Sequence, residues 1–495
     1  MNLVDRCLFI DKTSNREAIA DPKTALTYGE LQNNVLKMGR YFKEHFSGGS
    51  RIGIFLPNST SYLQCHFSLL ASGMVSCPVD PSSLENVTRK IESLGNFSAI
   101  VCSNPETQRV FFPNSKLIPI EEVEAYQNTL TGVEAIALED TASIMFTTGT
   151  TGKPKGVMLT QANILSAIDN ISDFIGYSAD DSEVVVLPLS HSFGLGHVYC
   201  NLANGGSIYT ESGLVRVGRV LKAIKNRRAT GFPGTPLMVG LLLDRYKEIL
   251  PDRLASLRFM VVNSAPLPPY RSKQLLEVLP NLDLMVYYGL TEASRSTFLS
   301  LTKAGENYYK SVGKPIGSVT LRTIDESGNT TPPNVSGEII INGPTVFKGY
   351  FNDEEKTAEV VKGTDFHTGD LGSLDDDGNL FITGRIGEII NIGGLKVSPF
   401  EIEQVVGSSL GVGECVVFGL KDADSDTDQI VAGVLAGGDG FDESEVIKHC
   451  QKYLENWKIP TKFFELEEIE KTNTGKVKRE QMRLKIASML TEGEC

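Results

Sequence analysis

Basic residues are in deficit. The 495-residue chain carries 47 Lys and Arg against 61 Asp and Glu, a formal net charge of -14. That balance excludes broad affinity for nucleic acid or for an anionic membrane, and leaves anion binding to local pockets. Long apolar runs are missing too. No uninterrupted stretch reaches the length of a bilayer span, and the opening MNLVDRCLFIDKT lacks a basic region followed by an apolar core, so neither a membrane span nor a signal peptide is expected. The eight cysteines (Cys7, Cys65, Cys77, Cys102, Cys200, Cys415, Cys450 and Cys495) form no CxxC pair and no metal-ligand spacing. This excludes a disulfide scaffold or a zinc module and predicts a reduced, cytoplasmic setting.

The length is too great for one core, so at least two domains are expected. Thr27 and Glu30 form a capping-box pattern, and Leu31, Val35, Met38 and Tyr41 follow at helical spacing, predicting an amphipathic helix over 28–46. Strands are predicted over 51–56, 75–79 and 100–102, with a largely apolar helix over 61–74. This alternation argues for an α/β fold of layered, mainly parallel sheets and helices. His45 and His66 fall inside the helices and read as structural. Asp375-Asp376-Asp377-Gly378 reads as a solvated turn, because the later ligands of a calcium loop do not follow it.

The chemistry concentrates in Phe146 to Gly156, FTTGTTGKPKG. Strand-like runs at 142–145 and 157–160 flank it. Within ten residues it holds Thr147, Thr148, Gly149, Thr150, Thr151, Gly152, Lys153, Lys155 and Gly156. Glycines let backbone amides approach phosphate oxygens, hydroxyls donate to them, and lysines supply the opposite charge. The spacing is not that of the Walker loop: Gly149 lies three residues from the Gly152-Lys153 pair, and Pro154 stands where a magnesium-binding Ser or Thr belongs.

The order of residues in this loop resembles the nucleotide signature of the adenylate-forming superfamily, which includes acyl-CoA and aryl-CoA synthetases, and the other motifs of that family follow in order. Asn263-Ser264-Ala265-Pro266 resembles the segment that flanks adenine. Tyr287-Tyr288-Gly289-Leu290-Thr291-Glu292 resembles the YGxTE motif, with an aromatic face for adenine, a hydroxyl for the α-phosphate and a carboxylate for magnesium. Thr368-Gly369-Asp370 and Gly384-Arg385 resemble the ribose-binding and hinge motifs. Thr472 to Arg479 resembles the last motif, whose lysine falls on Lys476.

The resemblance implies ATP and Mg2+ as cofactors, with Glu292 on the metal. It implies His191 and Phe193 at the carboxylate end of the acid pocket, together with Gly289. Asp370 and Arg385 are placed on the ribose, and Lys476 between the acid and the α-phosphate, with Thr291 and His191 as its catalytic companions. It implies a large N-terminal domain over 1–385 and a small mobile C-terminal α/β domain over 386–495, pivoting at Gly387, where Gly393 and Gly394 leave room for a pantetheine arm.

Amino-acid-activating relatives carry a Phe-Asp pair near His191; this chain has Ser192-Phe193 and no acid beside it in sequence, which favours an acid without an α-amino group. The expected activity is an AMP-forming acid-thiol ligase that passes the acyl group of a small carboxylic acid to coenzyme A or to a carrier-protein phosphopantetheine. The alternative is an amide synthetase of the coronafacate-ligase type. There Arg295, at the site mouth, holds the carboxylate of an amino acid acceptor; its blander role is a structural ion pair. A non-catalytic nucleotide sensor is disfavoured, because Glu292, Asp370, Arg385 and Lys476 are all present.

Overall fold

The computed structural model describes residues 1–9, 15–148, 153–212, 217–421, 428–438, 440–472 and 475–492. Its contacts divide the chain into two compact units, Met1–Leu321 with Ile341–Phe366, and Arg322–Ile340 with His367–Cys495. This division draws 322–340 and 367–385 to the C-terminal side, and so differs from a cut at Arg385.

Two sheets build the first unit. One has nine strands in the order Lys314–Pro315, Ala293–Ser300, Asp283–Leu290, Phe259–Val262, Gly231–Gly234, Ser182–Val185, Ser207–Thr210, Glu17–Ala20, Ala25–Thr27. Its interior is parallel and its edges are antiparallel. The other has seven, in the order Gly349–Tyr350, Pro154–Thr160, Thr141–Thr148, Val75–Pro78, Arg51–Phe55, Ala99–Cys102, Leu117–Pro119, again parallel but for the first two.

Helices pack between these sheets. Gln161–Ile175 touches both Pro154–Thr160 and Ala293–Ser300, and Ser192–Ala203 lies against it and against Ser182–Val185 and Ser207–Thr210. The predicted first helix runs Tyr28–His45; its cap is as read, with the Thr27 side chain accepting from the Glu30 N–H and the Thr27 N–H donating to the Glu30 carboxylate. It buries Leu31, Val35 and Met38 and packs on Thr60–Ala71, an almost wholly buried helix.

In the second unit, the strands Val412–Lys421, Asp428–Ala436 and Lys462–Leu466 alternate faces with the two-residue period of a strand. Val417, Ile430, Ala432 and Val434 meet Ile402, Val406, Val446 and Cys450 on one side. Val416, Phe418 and Val431 meet Met482 and Ile486 on the other. No helix among the described residues is long and apolar enough to cross a membrane. The turn at Asp375 closes as read, with the Gly378 N–H donating to the Asp375 carbonyl at 3.0 Å.

Candidate active site

Ligands in open α/β sheets bind beyond the carboxyl ends of the strands, and the predicted site residues of the first unit gather there. The strands Thr141–Thr148 and Pro154–Thr160 pair antiparallel, setting Thr147 opposite Lys155. Gly149, Thr150, Thr151 and Gly152 lie outside the described residues. Lys153 is exposed and Lys155 half-buried.

The Lys155 ammonium sits 5.0 Å from the centre of the Tyr350 ring, and the Tyr350 hydroxyl donates to Glu292 Oε1 at 2.9 Å. Tyr350 thus links Lys155 of the expected phosphate loop to the expected metal carboxylate. Backbone bonds fix the segment that carries it: Phe351 N–H to the Gly156 carbonyl at 2.7 Å, Lys348 N–H to that of Met158 at 3.0 Å, and Phe347 N–H to that of Glu292 at 2.8 Å. Sequence reasoning missed Tyr350, because the run Phe347-Lys348-Gly349-Tyr350-Phe351 carries no periodic signal.

Phe259–Val262 and Asp283–Leu290 are parallel neighbours, with Val262 beside Val286. They therefore deliver Ser264-Ala265-Pro266 and the Tyr288 to Thr291 turn side by side. Ser264 takes φ 89°, an uncommon conformation for a residue with a Cβ. A register shift between Tyr288 and Leu290 displaces Gly289. A Cβ there would fall 2.4 Å from the Arg295 backbone nitrogen, so only glycine fits. Tyr288 is half-buried, its N–H donating to Thr297 Oγ1 at 3.2 Å.

His191 ends the loop that follows Ser182–Val185 and precedes the helix Ser192–Ala203. The Asn58 side chain holds this loop at the Leu187 carbonyl (2.8 Å) and the Leu189 N–H (3.0 Å), and the Tyr62 hydroxyl donates to the Leu189 carbonyl at 2.9 Å. His191 Nε2 stands 3.6 Å from Asp80 Oδ2, with the imidazole 36% exposed and the carboxylate 15%. Burial pushes the Asp80 carboxyl up, but His191 and the Ser82 hydroxyl and N–H outweigh it and bring the carboxyl down to about 2. No acid flanks Ser192-Phe193 in sequence, yet the fold brings one to His191 from the end of Val75–Pro78.

Phe193 is buried, its ring edge-on to Tyr287 at 5.4 Å. Arg295 departs from expectation. It is 3% exposed rather than at a mouth, and among the described residues no carboxylate pairs with it. Its side chain follows the turn inward, donating to the Phe193 carbonyl at 2.8 Å.

In the second unit Asp370 and Arg385 face each other across an antiparallel pair, Oδ1 to Nε 3.4 Å. Thr368 Oγ1 accepts from the Asp370 N–H at 3.1 Å and donates to the Ile339 carbonyl at 2.8 Å, fixing the turn. Gly387 lies in the one-turn helix Ile386–Glu388. Gly393 and Gly394 have φ 57° and 93°, with open space where a Cβ would stand. Lys476 is exposed on a tight turn in which Thr472 N–H donates to the Lys476 carbonyl at 2.7 Å and the Lys476 N–H to Thr472 Oγ1 at 3.1 Å. Asn473 and Thr474 of that motif lie outside the described residues.

The donor set suits a magnesium nucleotide. Glu292 Oε1 is held by Tyr350, and among the described residues Oε2 makes no hydrogen bond, leaving one hard oxygen for a cation that takes its remaining ligands from phosphates and water. Lys155 beside Tyr350, an aromatic beside a strand-end turn, and this carboxylate fit the apparatus of an adenylate-forming α/β enzyme.

The AMP-binding enzyme model matches residues 9–351, and the model for the C-terminal domain of such enzymes matches residues 401–476. The chain belongs to the AMP-binding enzyme family and is of the AMP-forming acyl-CoA synthetase type. It is 30% identical over 491 residues to a 2-succinylbenzoate--CoA ligase of Bacillus cereus, covering 96% of this chain and 97% of that one. It is 34% identical over 343 residues to the probable CoA ligase CCL9 of Humulus lupulus, covering 69% of this chain and 65% of the relative. Among solved structures it resembles the o-succinylbenzoate CoA synthetase of Bacillus subtilis in complex with its acyl-adenylate intermediate, at TM-score 0.86 and 25% identity over 97% of each chain.

Proposed function

We propose that this chain adenylates a small carboxylic acid lacking an α-amino group and passes the acyl group to the thiol of coenzyme A, in the cytoplasm. The observation that carries the reading is the Lys155, Tyr350, Glu292 chain, which joins the phosphate loop to a carboxylate fit for a cation. Thr147, Thr148, Lys153 and Lys155, with Gly149 to Gly152, take the ATP phosphates. Ser264 to Pro266, Tyr288 and Leu290 flank adenine, and Asp370 and Arg385 hold the ribose. His191, steadied by Asp80, meets the attacking carboxylate, whose oxygen displaces pyrophosphate at the α-phosphate beside Thr291. Lys476 offsets the charge shared by carboxylate and α-phosphate as they close. Residues 386–495 turn about Gly387 between the half-reactions, so that Gly393 and Gly394 border the thiol path. A buried Arg295 removes the motive for an amine acceptor at the mouth.

The test is AMP release with a panel of acids, run with coenzyme A, with mixed amino acids, and with neither. The expected outcome is stimulation by coenzyme A and an acyl thioester by mass. Lys476→Ala should lose about a hundredfold or more of adenylation, the scale of one transition-state donor. Stimulation by amino acids alone, with an N-acyl product, would overturn the thiol assignment.

A further inference from the structure

Between the helices Gln161–Ile175 and Ser192–Ala203 lies a cavity. Its walls are largely apolar, formed by Met145, Leu159, Ile164, Ile168, Leu195 and Tyr199. Arg295 and Thr345 also line it, 3% and 1% exposed. The terminal nitrogens of Arg295 donate to the Phe193 carbonyl at 2.8 Å, to that of Ser192 at 3.4 Å, and to Ser294 Oγ at 3.3 Å, but its Nε–H has no partner, and neither has Thr345 Oγ1.

The charge is as poorly answered as the donors. Among the described residues no carboxylate lies within ion-pair reach of Arg295. Glu183 is committed elsewhere, to His197 Nδ1 at 2.8 Å, the Tyr177 hydroxyl at 2.7 Å and Asn201 Nδ2 at 3.3 Å. The rings of Tyr287 and Phe193, at 5.3 and 5.8 Å, offset only part of the cost of a buried cation. Arg295 also sits at φ 52°, a strained place for a residue with a Cβ. A buried cation without a counter-ion, a donor without an acceptor and a strained backbone together mark a group kept for a ligand rather than for the fold.

Apolar walls that end in an unpaired guanidinium N–H and a hydroxyl fit a ligand with an apolar body and an anionic oxygen at its far end. Ser192, next in the chain to His191, lines the same cavity, so the wall begins beside the place of adenylation. We infer that this cavity takes the body of the acid, and that Arg295 and Thr345 bind a second carboxylate remote from the one that is activated. The substrate class is then dicarboxylic acids with a short alkyl or aryl body. This assignment rests on the acid-activation reading above.

The test is acid-dependent pyrophosphate exchange, with no acceptor present. Linear monocarboxylic acids of four to eight carbons are compared with the α,ω-diacids of equal length, and 3-phenylpropanoate with ring-carboxylated analogues. The unaltered enzyme should favour the diacid of the best-fitting pair by about tenfold or more in kcat/KM, the value of one charge-assisted hydrogen bond in a dry site. Arg295→Gln should erase that preference mainly through KM for the diacid, and Thr345→Val should reduce it, with a smaller loss for the monoacid. If Arg295→Gln does not fold, the native comparison and Thr345→Val decide. Exchange with monoacids but no preference for any diacid overturns the assignment while the ligase reading stands. A preference that survives Arg295→Gln, or an effect of that substitution confined to the KM of coenzyme A, overturns it as well. Absence of exchange with every acid overturns both readings.

Discussion

We propose that Asp80 acts on the reaction through His191, without meeting the substrate. Its carboxylate lies 3.6 Å from His191 Nε2 and is held ionised, at about 2, by His191 and by Ser82 against the opposing push of burial. His191 is the N-cap residue of a helix, its side chain making no cap hydrogen bond, and the preceding loop is pinned by Asn58 and Tyr62, so Asp80 bears on the degree of freedom that is left, the orientation of the ring. Asp80→Asn keeps the shape and removes the charge. The expected result is a loss of about tenfold to a hundredfold in kcat/KM for the acid, the scale of a misplaced reacting group, with KM for ATP little altered. Steady-state pyrophosphate exchange separates the two constants. An equal rise in both would show that Asp80 supports the fold at large and not His191.

Arg479 ties the start of the last helix to the proposed pivot. It reaches Glu388 at 3.1 Å, Glu403 at 2.8 Å and the Val417 carbonyl at 2.8 Å. Glu388 belongs to the one-turn helix that contains Gly387, so this fork anchors the pivot segment to the C-terminal strands. Burial pushes the Glu403 carboxyl up and the Arg479 guanidinium opposes it, so the two charges depend on each other. Arg479→Ala strands Glu403 and should cost the second unit about 2 kcal/mol, between the values for an exposed pair and for a buried pair that loses one partner. Adding Glu403→Gln should return part of that loss, because only the more exposed Glu388 carboxylate is then left without its arginine. A thermal double-mutant cycle measures the coupling, and additive losses would mean that the pair is not a unit.

What was legible in the sequence follows the physics of each signal. The Thr27 cap, the strand at Phe259–Val262 and the Tyr288 to Glu292 turn announce themselves through local spacing, and the structure places them within a residue or two of expectation. Asp80, Asn58 and Tyr350 were silent, because each becomes a site residue only when two sheets meet; nothing in the spacing from Asp80 to His191 foretells 3.6 Å. Arg295 was noticed for its charge, but its burial depends on the register shift at Gly289, which no periodicity reveals.

The same inter-sheet layer sets the acid tolerance of the first unit. His66 is fully buried on the helix Thr60–Ala71, with Nδ1 at 2.7 Å from Ser76 Oγ and Nε2 at 2.5 Å from the Tyr199 hydroxyl, and burial pushes its imidazole down to about 3. His197 is lowered in the same sense, first by burial and then by Arg295, with Glu183 opposing. Unfolded, such a ring titrates near its ordinary 6.5. As pH falls below about 6.5, the unfolded chain therefore takes up a proton that the folded unit refuses. Stability should then decline by about 1.4 kcal/mol per pH unit for each such ring. For His66 the decline ends near pH 3, where the folded ring is itself protonated. His66→Gln should be less stable than the native protein at neutral pH, since it disturbs both hydrogen bonds, yet should lose less on acidification, by one proton's slope. Because two units unfold, the transition to follow is that of the first, resolved by calorimetry at several pH values. Parallel stability curves for the two proteins would mean that His66 gains its proton without unfolding.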